Sequence, residues 1–163
     1  MNRKGFTLIE LLAVIAVIAL ISLIAIPNIV GLQDNIRKDQ MLDDAKKLIS
    51  MAKYKVNTNY DIRNFTKNTT GINCNPSEKS CEMSFAILNT SGDISQDPDS
   101  TDGENYIRGY VTYTNNGVAK YCVYLEGSKR KVCKETNCGE DNCPCALCVD
   151  EDKLYSRFNV HDK

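Results

Sequence analysis

The chain has 163 residues, a formal net charge of −1 and ordinary globular proportions, with 42% hydrophobic and 25% charged residues. This length suits one modest domain with an appendage, and the near-neutral charge argues against the broad cationic surface typical of nucleic-acid binding. The single histidine, His161, lies close to the C-terminus, and the sequence has no Ser–His–Asp set, HExxH motif or glycine-rich phosphate loop, which argues against an enzyme.

The first predicted element is a long apolar helix at the N-terminus. Residues 6–26 contain only three polar side chains, those of Thr7, Glu10 and Ser22. At about 1.5 Å per residue the helix spans roughly 31 Å, which is the thickness of the hydrocarbon core of a bilayer. Arg3 and Lys4 precede it, so the positive-inside rule places the N-terminus in the cytoplasm and the rest of the chain outside.

Two simpler interpretations of this segment compete. A secretory signal peptide has an apolar core of only about 7–15 residues and an A-x-A-like cleavage site. The run here is longer, and residues 22–27 offer no such site, because Leu23 stands where the outer small residue should be. A plain membrane anchor explains the length and the orientation but not Glu10. A carboxylate in an apolar helix costs about 2.5 kcal/mol or more at the centre and less toward an end, so the charge predicts an additional role.

Residues 3–10, RKGFTLIE, followed by the unbroken apolar run, resemble the type IV prepilin processing motif, which pseudopilins share. The resemblance implies that a prepilin peptidase cuts between Gly5 and Phe6 on the cytoplasmic side and methylates the new amine of Phe6. It also implies that Glu10 acts in assembly, where its carboxylate meets that amine in its own chain or in an adjacent subunit. The leader, residues 1–5, is short, as in the a-type pilins.

A second, amphipathic half of the helix is predicted over residues 31–57. Apolar residues recur mostly at intervals of three and four, with charged residues between them, a pattern typical of a helix with one buried face. Pro27 removes a backbone hydrogen bond, so we expect a kink or local unwinding there. A coiled-coil dimer is the alternative use of the apolar face, although the heptad is not strictly kept.

The remaining residues, 58–163, are predicted to form a β-rich head. Its clearest signal is a hairpin, because aromatic and β-branched residues flank Asn116-Gly117, the preferred type I′ turn. The predicted strands of this three-stranded meander are residues 106–113, 119–125 and 129–133. A helix followed by hairpins is an α+β order, and it matches the element order that the resemblance implies, a long helix packed on a small antiparallel sheet.

The chain between the helix and this hairpin has weaker signals. We expect an irregular loop over residues 57–80 with a turn at 73–76, and a short strand or helix over 82–88. Residues 93–104 form an acidic loop. Its carboxylates invite a calcium interpretation, but their spacing departs from the EF-hand pattern and Pro98 intrudes, so we predict a solvated loop and no metal.

All eight cysteines lie in the head: Cys74, Cys81, Cys122, Cys133, Cys138, Cys143, Cys145 and Cys148. Outside the cytosol an even number of cysteines favours up to four disulfides, whose pairing the sequence does not determine. Cys74 with Cys81 and Cys122 with Cys133 are plausible pairs. The alternative is a zinc site in which the thiolates of residues 143, 145 and 148 are joined by that of Cys133 or Cys138.

The resemblance implies a structural subunit without catalytic residues or cofactors, processed and assembled into an extracellular type IV pilus. Its partners would be copies of itself or related pilins, the prepilin peptidase and an inner-membrane assembly platform, with residues 6–26 in the membrane before assembly. No nucleic-acid partner is expected unless the filament takes up DNA. The alternatives are a pseudopilin of a type II secretion or competence system, and a membrane-anchored, disulfide-rich extracellular binding domain.

Overall fold

The computed structural model describes residues 7–94, 96–134, 148–154 and 159–163, without the side chains of residues 23–30. The chain divides into two units, Met1–Ile36 and Arg37–Lys163, and the second is called the head unit below. Helix α1, Leu8–Thr58, contributes residues to both units.

Helix α1 forms because residues 8–58 are rich in Leu, Ala and Lys, which are good helix formers. The helix is continuous through Pro27, so the local unwinding suggested by the sequence does not occur, while the kink stays a prediction. Lys55 in the last turn complements the negative end of the helix dipole. Among the described residues, no helical stretch combines the length and apolarity needed to cross a membrane.

The head unit adds two short helices, one 3₁₀ turn and an antiparallel sheet. The short helices are α2, Tyr60–Arg63, and α3, Phe85–Leu88, and the 3₁₀ turn is Glu151–Lys153. The strands in chain order are β1 Asn68–Thr69, β2 Ile72–Asn75, β3 Ser80–Ser84, β4 Arg108–Asn115, β5 Ala119–Glu126, β6 Arg130–Val132, β7 Val149–Asp150 and β8 Val160–Asp162. They lie in the order β1-β2-β3-β4-β5-β6-β8, and β7 pairs with β5.

The core of the head unit lies between one face of α1 and one face of this sheet. The helix contributes buried side chains at intervals of three and four residues: Met41, Leu42, Ala45, Leu48, Ile49, Ala52 and Val56. The sheet contributes alternate residues of its central strands, among them Val111 and Tyr113 of β4 and Val123 and Leu125 of β5. The part of the predicted amphipathic pattern from Met41 to Val56 therefore serves as a core face within the head unit, whereas Leu32 and Ile36 of the same pattern are 59% and 47% exposed.

The observed helices and antiparallel sheet make the head unit α+β, as expected, and the meander of β4, β5 and β6 lies where the sequence predicts it. Gly117 adopts φ +97 in the turn between β4 and β5, a conformation that favours glycine. The expectation of an irregular loop over residues 57–80 is wrong, because α2, β1 and β2 lie there. Residues 73–76 are not a turn either, since β2 continues to Asn75 and the chain turns before Ser80.

Two disulfides join described cysteines. Cys74 of β2 faces Cys81 of β3 in register and is bonded to it, as the sequence suggested. The proposed link between Cys122 and Cys133 is wrong, because Cys122 is bonded to Cys148. The register of β5 with β6 explains this difference, because Leu125 faces Val132 and Cys133 therefore lies level with Tyr124, two residues short of Cys122.

The pairing of β5 with β7 explains why Cys148 is the disulfide partner of Cys122. Cys122 faces Asp150 in register, which brings the nearby Cys148 to a Cα–Cα distance of 5.3 Å from Cys122. Cys133 is also disulfide-bonded. The candidates Cys138, Cys143 and Cys145 lie outside the described residues.

Candidate functional site

The first turn of α1 is a capping box built by Thr7 and Glu10. The Thr7 backbone N–H donates to Glu10 Oε2 at 2.8 Å, and the Thr7 hydroxyl donates to the same oxygen at 2.7 Å. The Glu10 backbone N–H approaches Thr7 Oγ1 at 3.4 Å. Helix N-termini leave backbone N–H groups without intrahelical partners, and a Thr-x-x-Glu pair satisfies two of them reciprocally.

This arrangement gives Glu10 a partner that the sequence interpretation missed. The expected partner was the new amine of Phe6, whereas the described carboxylate is held by Thr7. The signal was present in the sequence, because Thr followed three residues later by Glu at the start of an apolar run is the usual mark of a capping box. Gly5 and Phe6 lie outside the described residues.

Beyond the capping box, α1 exposes apolar side chains on every side. Leu8 is 78% exposed and Ile21 is 60% exposed, although large aliphatic side chains are usually buried in soluble proteins. The other strongly exposed apolar side chains of this stretch are Ile9, Leu11, Leu12, Val14, Ile15, Val17, Ile18 and Leu20. A helix that is apolar all round requires an apolar environment, supplied by lipid or by other helices.

The capping box changes the electrostatics of this apolar segment. A lone carboxylate at a helix end would be poorly solvated in an apolar environment. Two hydrogen bonds from Thr7 and the positive end of the helix dipole both stabilise the ionised form of Glu10. One carboxylate oxygen, Oε2, accepts both bonds, and this geometry directs the acid group toward the start of the helix.

The described part of the head unit holds no candidate metal site. No group of three or more His, Cys, Asp or Glu side chains is arranged for a metal ion among the described residues. Cys148 and Cys133 are both disulfide-bonded. The zinc alternative required Cys148 as a thiolate, and a sulfur bonded to another sulfur is not a thiolate ligand.

The comparisons with known proteins concern the N-terminal segment. Residues 1–26 match the family model described as the prokaryotic N-terminal methylation motif. No curated protein and no solved structure shows significant similarity to the chain. The match covers Gly5 and Phe6, between which the sequence predicts the cut, the capping pair Thr7 and Glu10, and the whole apolar run of residues 6–26.

Proposed function

We propose that this chain, which carries the class III signal peptide of type IV pilins and pseudopilins, is a structural subunit of an extracellular type IV pilus. The observation that carries the proposal is the N-terminal methylation motif over residues 1–26, within which helix α1 begins and exposes its apolar side chains. A cleaved secretory signal would be lost with its apolar run. A segment that is retained and apolar on all sides is suited to packing against copies of itself.

In this proposal the peptidase removes residues 1–5, and the mature chain begins at a methylated Phe6. Residues 6–30 form the membrane and filament-core helix, residues 31–57 continue it as an amphipathic helix, and residues 58–163 form the extracellular head. Arg3 and Lys4 keep the N-terminus cytoplasmic until processing. The precursor is thus a single-pass membrane protein before it enters a filament on the cell surface.

Assembly works by packing rather than by catalysis. The apolar helices leave the bilayer and bury themselves against one another in the filament. The hydrophobic effect does not oppose this transfer, because contacts between helices replace lipid contacts of similar polarity. Partners are therefore copies of this chain or related pilins, together with the peptidase and a membrane assembly platform.

In this proposal Glu10 forms an ion pair with the new N-terminal amine during assembly. Thr7 holds the carboxylate at the start of the helix, one turn from the position of the new amine on Phe6. In a low-dielectric setting, attraction between the carboxylate and an amine of its own or an adjacent subunit lowers the cost of both charges. Such a pair also sets the axial register between neighbouring helices.

The mature N-terminus tests the proposal directly. Mass spectrometry of the membrane-extracted protein is expected to show a chain that begins at Phe6 with one added methyl group. The matched control is Gly5→Leu, which blocks the cut and leaves residues 1–5 attached. An intact Met1 in the wild-type protein would overturn the proposal and favour an ordinary membrane anchor.

Electron microscopy then distinguishes a pilus subunit from a pseudopilin. Immunogold labelling of the head is expected to decorate filaments outside the cell. Correct processing without surface filaments would instead assign the chain to a pseudopilin of a secretion or competence system.

A further inference from the structure

Two buried carboxylates in the loop before β4 carry an inference about how the head unit is held together. Asp97 and Asp99 are each only 4% exposed, although the sequence predicts a solvated loop there. Buried carboxylates are strongly unfavourable unless they are paired and hydrogen-bonded. Their partners therefore show what this loop does in the fold.

Asp99 is paired with Arg130 of β6. Both Asp99 oxygens accept from Arg130 Nη1, at 2.7 and 2.8 Å, and the Arg130 side chain is itself only 8% exposed. The Nε atom of the same guanidinium donates to Asp162 of β8 at 2.8 Å. One arginine thus joins the loop to the strand at the edge of the sheet.

Asp97 attaches the same loop to the turn between β5 and β6. Its carboxylate accepts from the backbone N–H groups of Ser128 and Asp99. Gly127 is required for this approach, because a Cβ atom at that position would lie 2.7 Å from Asp97 Oδ1. The loop is therefore seated on the turn by backbone contacts as well as by charge.

The other end of this network lies on α1 at the start of the head unit. Arg37 Nη1 lies 3.6 Å from Asp99 Oδ1, and Lys38 Nζ lies 3.7 Å from Asp162 Oδ2. Among the described residues, the cations Arg37, Lys38 and Arg130 are thus linked through the carboxylates of Asp99 and Asp162, and Asp97 joins the same loop through backbone N–H groups.

We propose that these six side chains form a charge clasp that fixes the first turns of α1 within the head unit to the edge of the sheet. Met41 is the first residue of α1 in the buried core, and the charged residues Arg37 and Lys38 lie in the turn just before it. The clasp attaches this turn to the edge of the sheet, with Arg130 as its centre. This inference concerns the head unit alone and stands whether or not the chain assembles into filaments.

The clasp also accounts for the acidic loop without a metal ion. Both oxygens of Asp99 accept from Arg130, and Asp97 accepts backbone N–H groups. A calcium ion needs six to eight oxygen ligands and would have to displace these donors. We therefore expect the stability of the head unit to be independent of calcium.

The test compares Arg130→Gln with Lys129→Gln in the full-length chain purified in detergent. The control removes the neighbouring charge, which belongs to an exposed side chain outside the clasp. Breaking a buried ion pair is strongly destabilising, so we expect Arg130→Gln to lower the melting temperature by about 8 °C or more. Lys129→Gln is expected to shift it by less than about 2 °C.

A double variant distinguishes pairing from general damage. Because Asp99→Asn removes the carboxylate charge that loses its buried partner in Arg130→Gln, the double variant is expected to lose clearly less than the sum of the two single losses. Additive losses would overturn the pairing.

Hydrogen exchange locates the effect. In Arg130→Gln we expect exchange to increase about tenfold or more in peptides covering residues 34–42 and 97–104, with β4 and β5 unchanged. A uniform increase in exchange across the head unit, or unchanged exchange over residues 34–42, would overturn the clasp. A calcium-dependent rise in the wild-type melting temperature would overturn it as well.

Discussion

At the scale of single residues, Glu10 has two separable properties, its hydrogen bonds and its charge. Its carboxylate accepts from the Thr7 amide and hydroxyl at 2.8 and 2.7 Å, so a capping role alone would explain why a polar residue stands there. The proposed function requires the charge as well, because an amine is its expected partner during assembly. Glutamine is the residue that separates these roles, since it supports a capping box without carrying charge.

We predict that Glu10→Gln and Glu10→Ala are both processed after Gly5 and both assemble poorly. The physical reason is that neither side chain can pair with a cationic amine in an apolar setting. The measurement is the amount of sheared surface filament relative to membrane-bound subunit, with a drop of about tenfold or more expected for each variant. Filament yields near the wild-type level for Glu10→Gln would show that only the cap matters.

Thr7 provides the matched pair of variants for this prediction. Thr7→Ser keeps the hydroxyl that binds Glu10, and it is expected to assemble normally. Thr7→Val removes that hydroxyl, which costs about 1 kcal/mol of helix capping, and it leaves the carboxylate less firmly directed. We expect an intermediate filament yield for Thr7→Val. Equal yields for Thr7→Ser and Thr7→Val would show that the Thr7 hydroxyl has no role in assembly.

At the scale of elements, the sequence predicts best where periodicity is long and turn chemistry is specific. The buried face of α1 over residues 41–56 and the hairpin around Asn116-Gly117 are both of this kind. Strands β1, β7 and β8 have only two or three residues each, too few for an alternating pattern to emerge. Strands β7 and β8 also pair with β5 and β6, which are distant in sequence, and the Cys122–Cys148 disulfide lies beside β7.

The hairpin of β2 and β3 shows the same limit. Its strands, INCN and SCEMS, are polar at alternate positions, and asparagine and serine there indicate a loop when they are considered without their partners. Pairing of β3 with the long β4 makes it a sheet element. The capping box was predictable from Thr7 and Glu10, whereas the clasp was not, because Arg130 and Asp99 meet only in the folded chain.

We predict that the two disulfides differ in their contribution to stability. The Cys74–Cys81 link spans 7 positions in sequence and the Cys122–Cys148 link spans 26. By loop-closure entropy these correspond to about 2.5 and about 3.5 kcal/mol. Paired alanine substitutions at each bridge, compared by urea unfolding of the otherwise oxidised chain, are expected to preserve that order, and a larger loss at the Cys74–Cys81 bridge would contradict it.

At the scale of the whole molecule, the division after Ile36 separates two kinds of stability. In the Met1–Ile36 unit, side chains such as Leu8 and Ile21 are exposed, so burial must come from lipid or partner helices. The head unit has its own core between α1 and the sheet, and it has buried polar groups whose ionisation affects folding. Stability measurements as a function of pH therefore report on the head unit.

Tyr124 makes the head unit sensitive to alkaline pH. Burial, followed by the hydrogen bond to Glu126 and its negative charge, raises the pKa of Tyr124 from 10.0 to about 12. The hydroxyl donates to Glu126 Oε2 at 2.9 Å. Burial tends to raise the pKa of Glu126, but the hydrogen bonds from Lys163 and Tyr124 outweigh it and the net pKa is lowered, so the acceptor stays ionised while the phenol stays neutral.

The sign of the resulting pH dependence follows from the raised pKa. Folding favours the neutral phenol, so the contribution of Tyr124 to the free energy of unfolding is complete below about pH 10 and is lost as the pH rises toward about 12. The pKa of Tyr106 is also raised, by burial and by the neighbouring Asp44, and it extends the loss to higher pH. We predict that wild-type stability falls across this window.

Tyr124→Phe tests this assignment, with Tyr60→Phe as its control because the Tyr60 side chain is 69% exposed. At pH 8 the loss of one hydrogen bond should cost Tyr124→Phe about 1 kcal/mol of unfolding free energy. Between pH 10 and 12 it should then lose less stability than the wild type, because phenylalanine has no proton to release. Unfolding in urea at several pH values measures both effects, and a fall in Tyr124→Phe as steep as that of Tyr60→Phe would show that alkaline unfolding starts elsewhere in the head unit.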